Sequence, residues 1–241
     1  MSDGGYNERL FKKPGLRSYL HNSRFHWFRK EMQALGLAEV RMVELGCFDG
    51  KLLDFCPAAP VAYRGFDAGW EGGLQDAQKK YEGHPVYRFD LTRDATALHP
   101  LKDGDFNVAA SMETLEHVPP ALVDDYLAEL ARVTDGWLLV TVPNEKGPML
   151  LAKWIAKKLF AGGAEKYTIG ELVAATFGRL DRVERNEHKG FDYDVMTRQI
   201  AHHFEVVKVE AIPVAGLPLW TSFTVGILAR SRPRAANRAA A

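Results

Sequence analysis

Acidic residues stand at the ends of apolar segments in the first half of the chain, and the first of them precedes a glycine turn. Glu44 lies two residues before Gly46 in VELGCFDG, and Gly50 closes the turn. Asp67 follows 21 positions after Gly46, and Asp90 lies within FDLT. Glycines let the backbone approach a ligand, and the N–H groups of a helix expected directly after Gly50 would point at an anion. Asp67 can accept hydrogen bonds from ribose hydroxyls and Asp90 from the adenine amine, so the pattern predicts a bound nucleoside derivative.

A second group of polar residues follows the fourth apolar segment, in SMETLEHV. Glu113, Glu116 and His117 are spaced i, i+3 and i+4, so on a helical turn they would share one face and could bind a divalent cation. Alternatively, the glutamates accept hydrogen bonds from N–H groups at a helix start, and His117 is a packed residue or a base. His188, in NEHKGFDYD, is the second candidate base, with a solvated loop position as the alternative.

Apolar segments of strand length alternate with segments of helical periodicity along most of the chain. Strands are predicted at 39–46, 62–69, 85–92, 105–112, 136–144, 204–213 and 222–230. Besides the helix after Gly50, helices are predicted at 18–36, 70–83, 119–135 and 192–204. This order is typical of an α/β fold, with a mostly parallel sheet and helices on both faces, and the last two strands are expected to pair antiparallel. The acidic strand ends would then meet at one edge of the sheet, where such folds bind ligands.

With these motifs the chain resembles the class I S-adenosylmethionine (SAM) dependent methyltransferases over roughly residues 39–144. The segment VELGCFDG is similar to the family's acidic loop with three glycines, with Phe48 in place of the middle glycine. The resemblance implies a Rossmann-like, seven-stranded sheet with its last strand antiparallel, and a SAM site built from four loops. The implied SAM-binding residues are Glu44, Gly46, Cys47, Phe48 and Gly50 along the methionine part, Asp67 at the ribose, Asp90 and Leu91 at the adenine, and Ser111 and Met112 beside the sulfonium and amino group.

Within that superfamily, SMETLEHVP followed by VTVPNEKG is most similar to the ubiquinone-biosynthesis O-methyltransferases and their relatives acting on small molecules or glycans. The resemblance implies methyl transfer to a hydroxyl of a lipid-like, quinone-like or glycan substrate. Such transfer needs mainly in-line placement and exclusion of water, and His117 or His188 would remove the hydroxyl proton. Two alternatives stay open. One is a SAM-binding module without turnover. The other is a nicotinamide-dependent oxidoreductase, although no tyrosine here has a lysine four residues later, the catalytic pair of the short-chain dehydrogenases.

Length and composition set the expected organisation. The 241 residues are 46% hydrophobic, enough for a buried core, and 31 basic against 31 acidic side chains give no net charge that would attract nucleic acid. We expect an N-terminal helical cap at 1–38, a methyltransferase domain at 39–230 with an insertion at 145–190 over the substrate, and a disordered tail at 231–241. Two cysteines and a polar N-terminus favour a cytoplasmic, reduced setting.

The insertion at 145–190 contains one segment with two interpretations. On a helical wheel the apolar residues of 149–160 span about half the circumference, and lysines lie beside and within that arc. The simpler interpretation is a lid helix that packs on its own domain. The alternative is peripheral contact with a lipid substrate or with the inner face of a membrane, because lysine stems can lie along apolar surface while their amines stay in water.

Overall fold

A computed structural model describes residues 15–160, 166–186 and 188–233, and its centre is a seven-stranded sheet in the order β3-β2-β1-β4-β5-β7-β6. The strands are β1 (Arg41–Leu45), β2 (Ala62–Asp67), β3 (Tyr87–Leu91), β4 (Phe106–Met112), β5 (Thr134–Pro143), β6 (Phe204–Ile212) and β7 (Thr224–Ser231). The pairs from β3 to β5 are parallel, and β7 runs antiparallel to both of its neighbours. The predicted α/β fold with a reversed last strand is therefore confirmed.

Helices cover both faces of this sheet. They are α1 (Leu16–Leu35), α2 (Gly73–Lys80), α3 (Pro120–Val133), α4 (Gly147–Phe160), α5 (Ile169–Thr176) and α6 (Tyr193–His203). Neighbouring residues of β1 point to opposite faces, so Val43 packs with residues of α3 and α6, whereas Met42 packs with residues of α1 and α2. In α3, proline occupies the first turn and the residues at helical spacing are buried: Val123, Tyr126, Leu127, Leu130 and Val133.

The prediction of an amphipathic helix directly after Gly50 is wrong. In its place is a five-residue 3₁₀ turn, Lys51–Phe55. The sequence CPAAP follows, and its prolines have no N–H to donate to a helical turn. Cys56, which precedes Pro57, is extended, as residues before proline usually are. The ligand edge of β1 is therefore a compact loop rather than the start of a long helix.

The two ends of the chain are described in part. The expected N-terminal cap corresponds to α1, which ends at Gly36 in the left-handed conformation; residues 1–14 lie outside the described part. Ser231 is the last residue of β7, so the strand extends one residue into the segment expected to be a tail, and 234–241 also lie outside the described residues. Among the described helices, none combines the length and the apolar character needed to cross a bilayer.

Candidate active site

The glycine turn after β1 brings three loops together at the carboxyl edge of the sheet. Gly46 has a φ of 82°, a left-handed conformation that favours glycine. A Cβ atom at Gly46 would lie 1.9 Å from Oγ1 of Thr114, so the loops after β1 and β4 are in direct contact. The N–H groups of Gly46 and Cys47 both donate to the carbonyl of Phe66, at 2.7 and 3.2 Å, which ties the turn to the end of β2. The predicted glycine turn after the first strand is thus present, and its approach to a bound ligand stays a prediction.

Asp67 is fixed in this corner by backbone groups. Its carboxylate accepts the N–H of Phe48 at 3.0 Å on one oxygen and the N–H of Gly69 at 2.7 Å on the other. The residue is buried, and its own carbonyl accepts the N–H of Thr92 from the loop after β3. Each carboxylate oxygen can accept more than one hydrogen bond, so Asp67 can also accept from a ligand hydroxyl.

Phe48 replaces the middle glycine of the loop without filling the turn. Its φ of 45° is unusual for a residue with a side chain. The ring packs on Gly73 at the start of α2, where an added Cβ would lie 2.3 Å from Cδ2 of Phe48. The ring of Trp70 is 5.9 Å away, centroid to centroid. The missing side chain at Gly73 therefore accommodates the aromatic ring at position 48.

Glu44 and Cys47 are buried at the base of the turn. Burial raises the pKa of Glu44 to about 8, even though the Tyr63 hydroxyl, which donates to its carboxylate at 2.6 Å, acts in the opposite direction. Burial and then the charge of Glu44 raise the pKa of the Cys47 thiol well above its usual value. Glu44 thus binds Tyr63 inside the protein, and a direct contact of Glu44 or Cys47 with SAM stays a prediction.

Asp90 and Leu91, the two residues predicted to contact the adenine, have different surroundings in the structure. The carboxylate of Asp90 pairs with Nε of Arg64 at 2.5 Å, so its predicted hydrogen bond to adenine would compete with an ion pair. The side chain of Leu91 is exposed and lies against Gly69. Trp70, which is 56% exposed, lies in the same loop as Gly69, although sequence reasoning did not select it. The available signal was a tryptophan three residues after the strand-end Asp67.

Ser111 and Met112 end β4 and are both buried. The Ser111 hydroxyl has no hydrogen-bond partner in the described part of the chain. The sulfur of Met112 accepts the Thr141 hydroxyl at 3.7 Å, a contact between neighbouring strands. Their predicted position beside the reacting group of SAM is compatible with the glycine corner, because Thr114, two residues on, contacts Gly46.

Glu113 does not belong to the cation site predicted with Glu116 and His117. These residues lie on a turn rather than a helix, and Glu113 has a φ of 51°, so the three side chains do not share one face. The Glu113 carboxylate accepts Arg24 Nη1 at 2.7 Å and the Thr224 hydroxyl at 2.6 Å. Burial alone would raise the pKa of Glu113, but the Arg24 guanidinium and then the Thr224 hydroxyl hold it below its usual value.

His188 takes the third place in the cluster. Potential ligand atoms of Glu116, His117 and His188 all lie within 4.8 Å of one another. The two imidazole rings are 4.3 Å apart, edge to face. Glu116 is 2% exposed, and neither carboxylate oxygen has a hydrogen-bond partner among the described residues. Burial, and next the charge of Glu113, raise the pKa of Glu116 well above its usual value. The structure thus brings both candidate bases together around a buried carboxyl group.

The insertion contacts this cluster and the end of β5. Nη2 of Arg185 donates to the carbonyl of Glu116 at 3.1 Å. Lys153 of α4 donates to Glu145 Oε1 at 2.6 Å and to the carbonyl of Asn144 at 2.7 Å. Arg185 therefore lies beside Glu116 of the cluster, and Lys153 ties α4 to the residues that follow β5. Arg24, which reaches Glu113 from α1, is a site residue that was not among those selected from the sequence.

Comparison with known proteins identifies the family of this chain. Residues 43–140 match the family described as a methyltransferase domain. The ubiquinone biosynthesis O-methyltransferase of Thiobacillus denitrificans is 30% identical over 173 residues, which are 67% of this chain and 72% of that protein.

Solved structures with the same fold agree with the family match. Magnesium protoporphyrin IX methyltransferase from Synechocystis PCC 6803, with bound SAH, has a TM-score of 0.58 at 15% identity, covering 93% of this chain and 92% of that one. A SAM-dependent methyltransferase from Aquifex aeolicus has a TM-score of 0.56 at 14% identity, covering 94% and 98%. The sequence matches, together with this fold, show that the chain belongs to the class I SAM-dependent methyltransferases.

Proposed function

We propose that this methyltransferase acts on a hydroxyl group of a small-molecule acceptor. The observation that carries the proposal is the pair His117 and His188, whose rings lie 4.3 Å apart just beyond the end of β4. A hydroxyl acceptor must lose a proton as it attacks, and imidazole is the side chain best suited to take it near neutral pH. The relative from Thiobacillus denitrificans, an O-methyltransferase by name, supports the same acceptor type.

The donor would lie across the loops after β1, β2 and β3. Asp67, already oriented by two backbone N–H groups, would accept the ribose hydroxyls, and the glycine turn would line the methionine part. The exposed side chains of Trp70 and Leu91 would flank the adenine, since both offer apolar surface beside Asp67. Arg24 would help to close the methionine end from α1, because it is held by Glu113 next to Met112.

The reaction itself would be a single displacement. When bound, SAM would supply the methyl group: the acceptor oxygen would bond to the methyl carbon as the carbon–sulfur bond breaks, and S-adenosylhomocysteine would leave as the neutral thioether. His117 or His188 takes the acceptor proton. The described parts of segment 145–190 would exclude water and hold the acceptor in line, and such placement can supply much of the rate.

We also propose that a divalent cation can bind beside the acceptor. The residues fit one, because Glu116 offers two buried carboxylate oxygens without a partner in the described chain, beside two imidazoles. One carboxylate and two imidazoles form a donor set for a first-row divalent ion. When bound, such an ion would polarise the acceptor hydroxyl. In this alternative to proton removal by an imidazole, Glu116, His117 and His188 would hold the ion, in place of the predicted set that included Glu113.

Titration calorimetry with SAM tests the donor site. Asp67→Ala should weaken SAM binding by about 1–3 kcal/mol, the usual cost of leaving buried polar partners unsatisfied. Asp90→Ala is the matched comparison: a similar loss would support its adenine contact, and an unchanged affinity would leave it as the ion-pair partner of Arg64. Full affinity in Asp67→Ala would mean that the ribose lies elsewhere.

Methyl transfer from labelled SAM to a panel of phenols, aliphatic alcohols and amines tests the acceptor. We expect phenols or alcohols to be methylated, and His117→Gln and His188→Gln to lower kcat while SAM affinity is retained. Methylation of amines but not hydroxyl compounds would contradict the proposal.

Manganese titration followed by electron paramagnetic resonance tests the cation separately from activity. Glu116→Gln should abolish Mn²⁺ binding, whereas Glu113→Gln, three residues away and outside the cluster, should retain it. Binding should also weaken as pH falls, because the cation must displace the proton of Glu116. Equal Mn²⁺ binding by both variants, or none by the wild type, would remove the cation from the proposal.

A further inference from the structure

The two helices of the insertion expose large apolar side chains to solvent. We call this the α4–α5 surface: Ile155, Leu159, Ile169, Val173 and Phe177. Leu159 is 70% exposed, Ile169 85% and Phe177 80%. On α4 the two residues are four positions apart, and the three of α5 and its C-cap repeat every four, so each set forms one stripe on its helix.

The outer faces of α3 and α6, two helices outside the insertion, differ from this surface. The exposed positions of α3 include Asp124, Asp125 and Ala128, and those of α6 include Arg198 and His202. These faces are mostly polar or small, as expected of helices whose outer side meets water, and on α6 the exposed Val195 is an isolated apolar residue rather than part of a stripe. Contiguous exposure of large apolar residues on one short segment instead indicates a contact surface.

The charge around the surface is positive. Helix α4 has no acidic residue; its Lys153 is paired with Glu145 at 2.6 Å, and its Lys157 and Lys158 are exposed. Lys158 is exposed and its amine lies 4.8 Å from the ring centroid of Trp154, so its stem covers apolar surface while its charge stays at the rim. Lys166 adds a further exposed charge before α5. The one acid of α5, Glu171, is neutralised by Lys189 at 2.7 Å.

An apolar surface bordered by lysines matches the boundary of a bilayer that contains anionic lipids. The apolar side chains would enter the acyl region and the lysines would contact phosphate groups, as in amphipathic helices that lie in the membrane plane. A protein partner with the same properties would need its own acidic rim around an apolar patch, a more specific requirement. We propose that the α4–α5 surface docks this enzyme on an anionic lipid surface.

The docked surface is mechanically linked to the acceptor side of the site. Lys153 holds α4 to Asn144 and Glu145, which follow β5, and Arg185, nine residues after the end of α5, donates to the Glu116 carbonyl. An acceptor dissolved in the bilayer would therefore meet the enzyme at the insertion. This consequence rests on the proposed function, whereas lipid binding does not.

Co-sedimentation of the full chain with sucrose-loaded vesicles tests the docking. We expect binding to vesicles of phosphatidylcholine with 30 mol% phosphatidylglycerol, weaker binding to phosphatidylcholine alone, and a decrease as salt is raised. The absence of binding to the anionic vesicles would overturn the proposal.

Two pairs of variants locate the contact. Ile169→Ser with Phe177→Ser should lower vesicle partitioning at least tenfold, whereas Val61→Ser with Val207→Ser, which removes exposed valines elsewhere, should not. Lys158→Gln with Lys166→Gln should lower it about fivefold for each lysine, unlike Lys79→Gln with Lys102→Gln. If a double variant of the α4–α5 surface and its control double variant had equal effects on vesicle binding, the assignment to this surface would be overturned.

Two further measurements distinguish lost lipid contact from other causes of reduced vesicle binding. Retained SAM affinity and an unchanged thermal midpoint in each variant show that lost vesicle binding is not lost folding, and SAM affinity also reports on the donor site independently of lipid. If the apolar pair of substitutions instead abolishes a concentration-dependent dimer seen by analytical ultracentrifugation, and vesicle binding is unaffected, the surface belongs to a second copy of the chain and the lipid proposal fails.

Discussion

The two halves of the candidate site hold their carboxylates in different ways. At the donor corner, formed by the loops after β1 and β2, Asp67 is bound by backbone N–H groups 19 and two residues away in the sequence. At the acceptor corner, formed by the loops after β4 and β5, Glu113 is bound by side chains 89 and 111 residues away. The donor corner therefore depends on the course of the backbone, and the acceptor corner on contacts between distant side chains.

If the donor corner depends on the backbone, a change at Gly46 should have the largest effect. An alanine there combines a left-handed φ with a Cβ 1.9 Å from Thr114 Oγ1. We expect Gly46→Ala to lower the free energy of unfolding by about 4 kcal/mol, from strain and overpacking together. Gly216→Ala is the control, since Gly216 has a φ of 81° but no atom within 4 Å of an added Cβ.

Gly216→Ala should cost about 1 kcal/mol, the conformational part alone. Urea unfolding of both variants gives the comparison, and SAM titration of the folded fraction shows whether the corner still binds. Equal losses of stability in the two variants would mean that the contact between Gly46 and Thr114 contributes little to the donor corner.

The corresponding change at the acceptor corner is Arg24→Ala. It leaves the partly buried Glu113 carboxylate with the Thr224 hydroxyl as its remaining described hydrogen-bond partner, and we expect a loss of about 3 kcal/mol at pH 7. Because the pKa of Glu113 in the folded state is lowered below 4.5, the stability from pairing is complete above that value and is lost as pH falls through the lowered pKa. The difference between wild type and variant should therefore shrink in acid.

Arg29→Ala provides the control on the same helix, because Arg29 donates to the backbone carbonyls of Phe55 and Asp54 rather than to a carboxylate. Its cost should not change between pH 7 and pH 3. A pH-independent loss in Arg24→Ala would show that the arginine acts by packing alone.

The same contrast explains which parts of the site could be predicted from sequence. The positions of the strands along the chain, the glycine turn and the strand-end position of Asp67 follow from local patterns, because apolar runs, glycines and strand-end acids mark them in the chain itself. Glu113 was assigned to the wrong partners because a backbone with positive φ cannot be inferred from its residue type. The approach of His188 to His117 depends on how a long insertion folds back, and no local spacing encodes that.

Two acids whose pKa values are shifted in opposite directions extend the comparison of the two corners. Glu44, under the donor corner, has its pKa raised to about 8 by burial, whereas Glu113 is held ionised by Arg24. The folded protein thus keeps a proton on Glu44 that the unfolded chain releases above pH 4.5, and stability falls as pH rises from there toward 8. Relative to wild type, Glu44→Gln should gain about 2 kcal/mol between pH 5.5 and 7, since each pH unit corresponds to about 1.4 kcal/mol.

Urea unfolding of wild type and Glu44→Gln at several pH values measures this difference directly. Groups common to both proteins cancel, and glutamine can still accept the Tyr63 hydroxyl. Stability curves that run parallel from pH 5.5 to 7 would mean that Glu44 is ionised in the folded protein, as Glu113 is.

The smallest effect is expected in the insertion, where α5 begins with a capping box. The Thr168 hydroxyl accepts the N–H of Glu171 at 3.2 Å, and the Glu171 carboxylate accepts the N–H of Thr168 at 2.9 Å. Thr168→Ala should cost about 1 kcal/mol. Because this segment is joined to the sheet by side-chain contacts, we expect faster hydrogen exchange in α5 alone, with SAM affinity unchanged and with Thr168→Ser close to wild type. Faster exchange spread equally through β1 and β2 would show that the insertion and the donor corner unfold as one unit, and the distinction between the two halves would not extend to their stability.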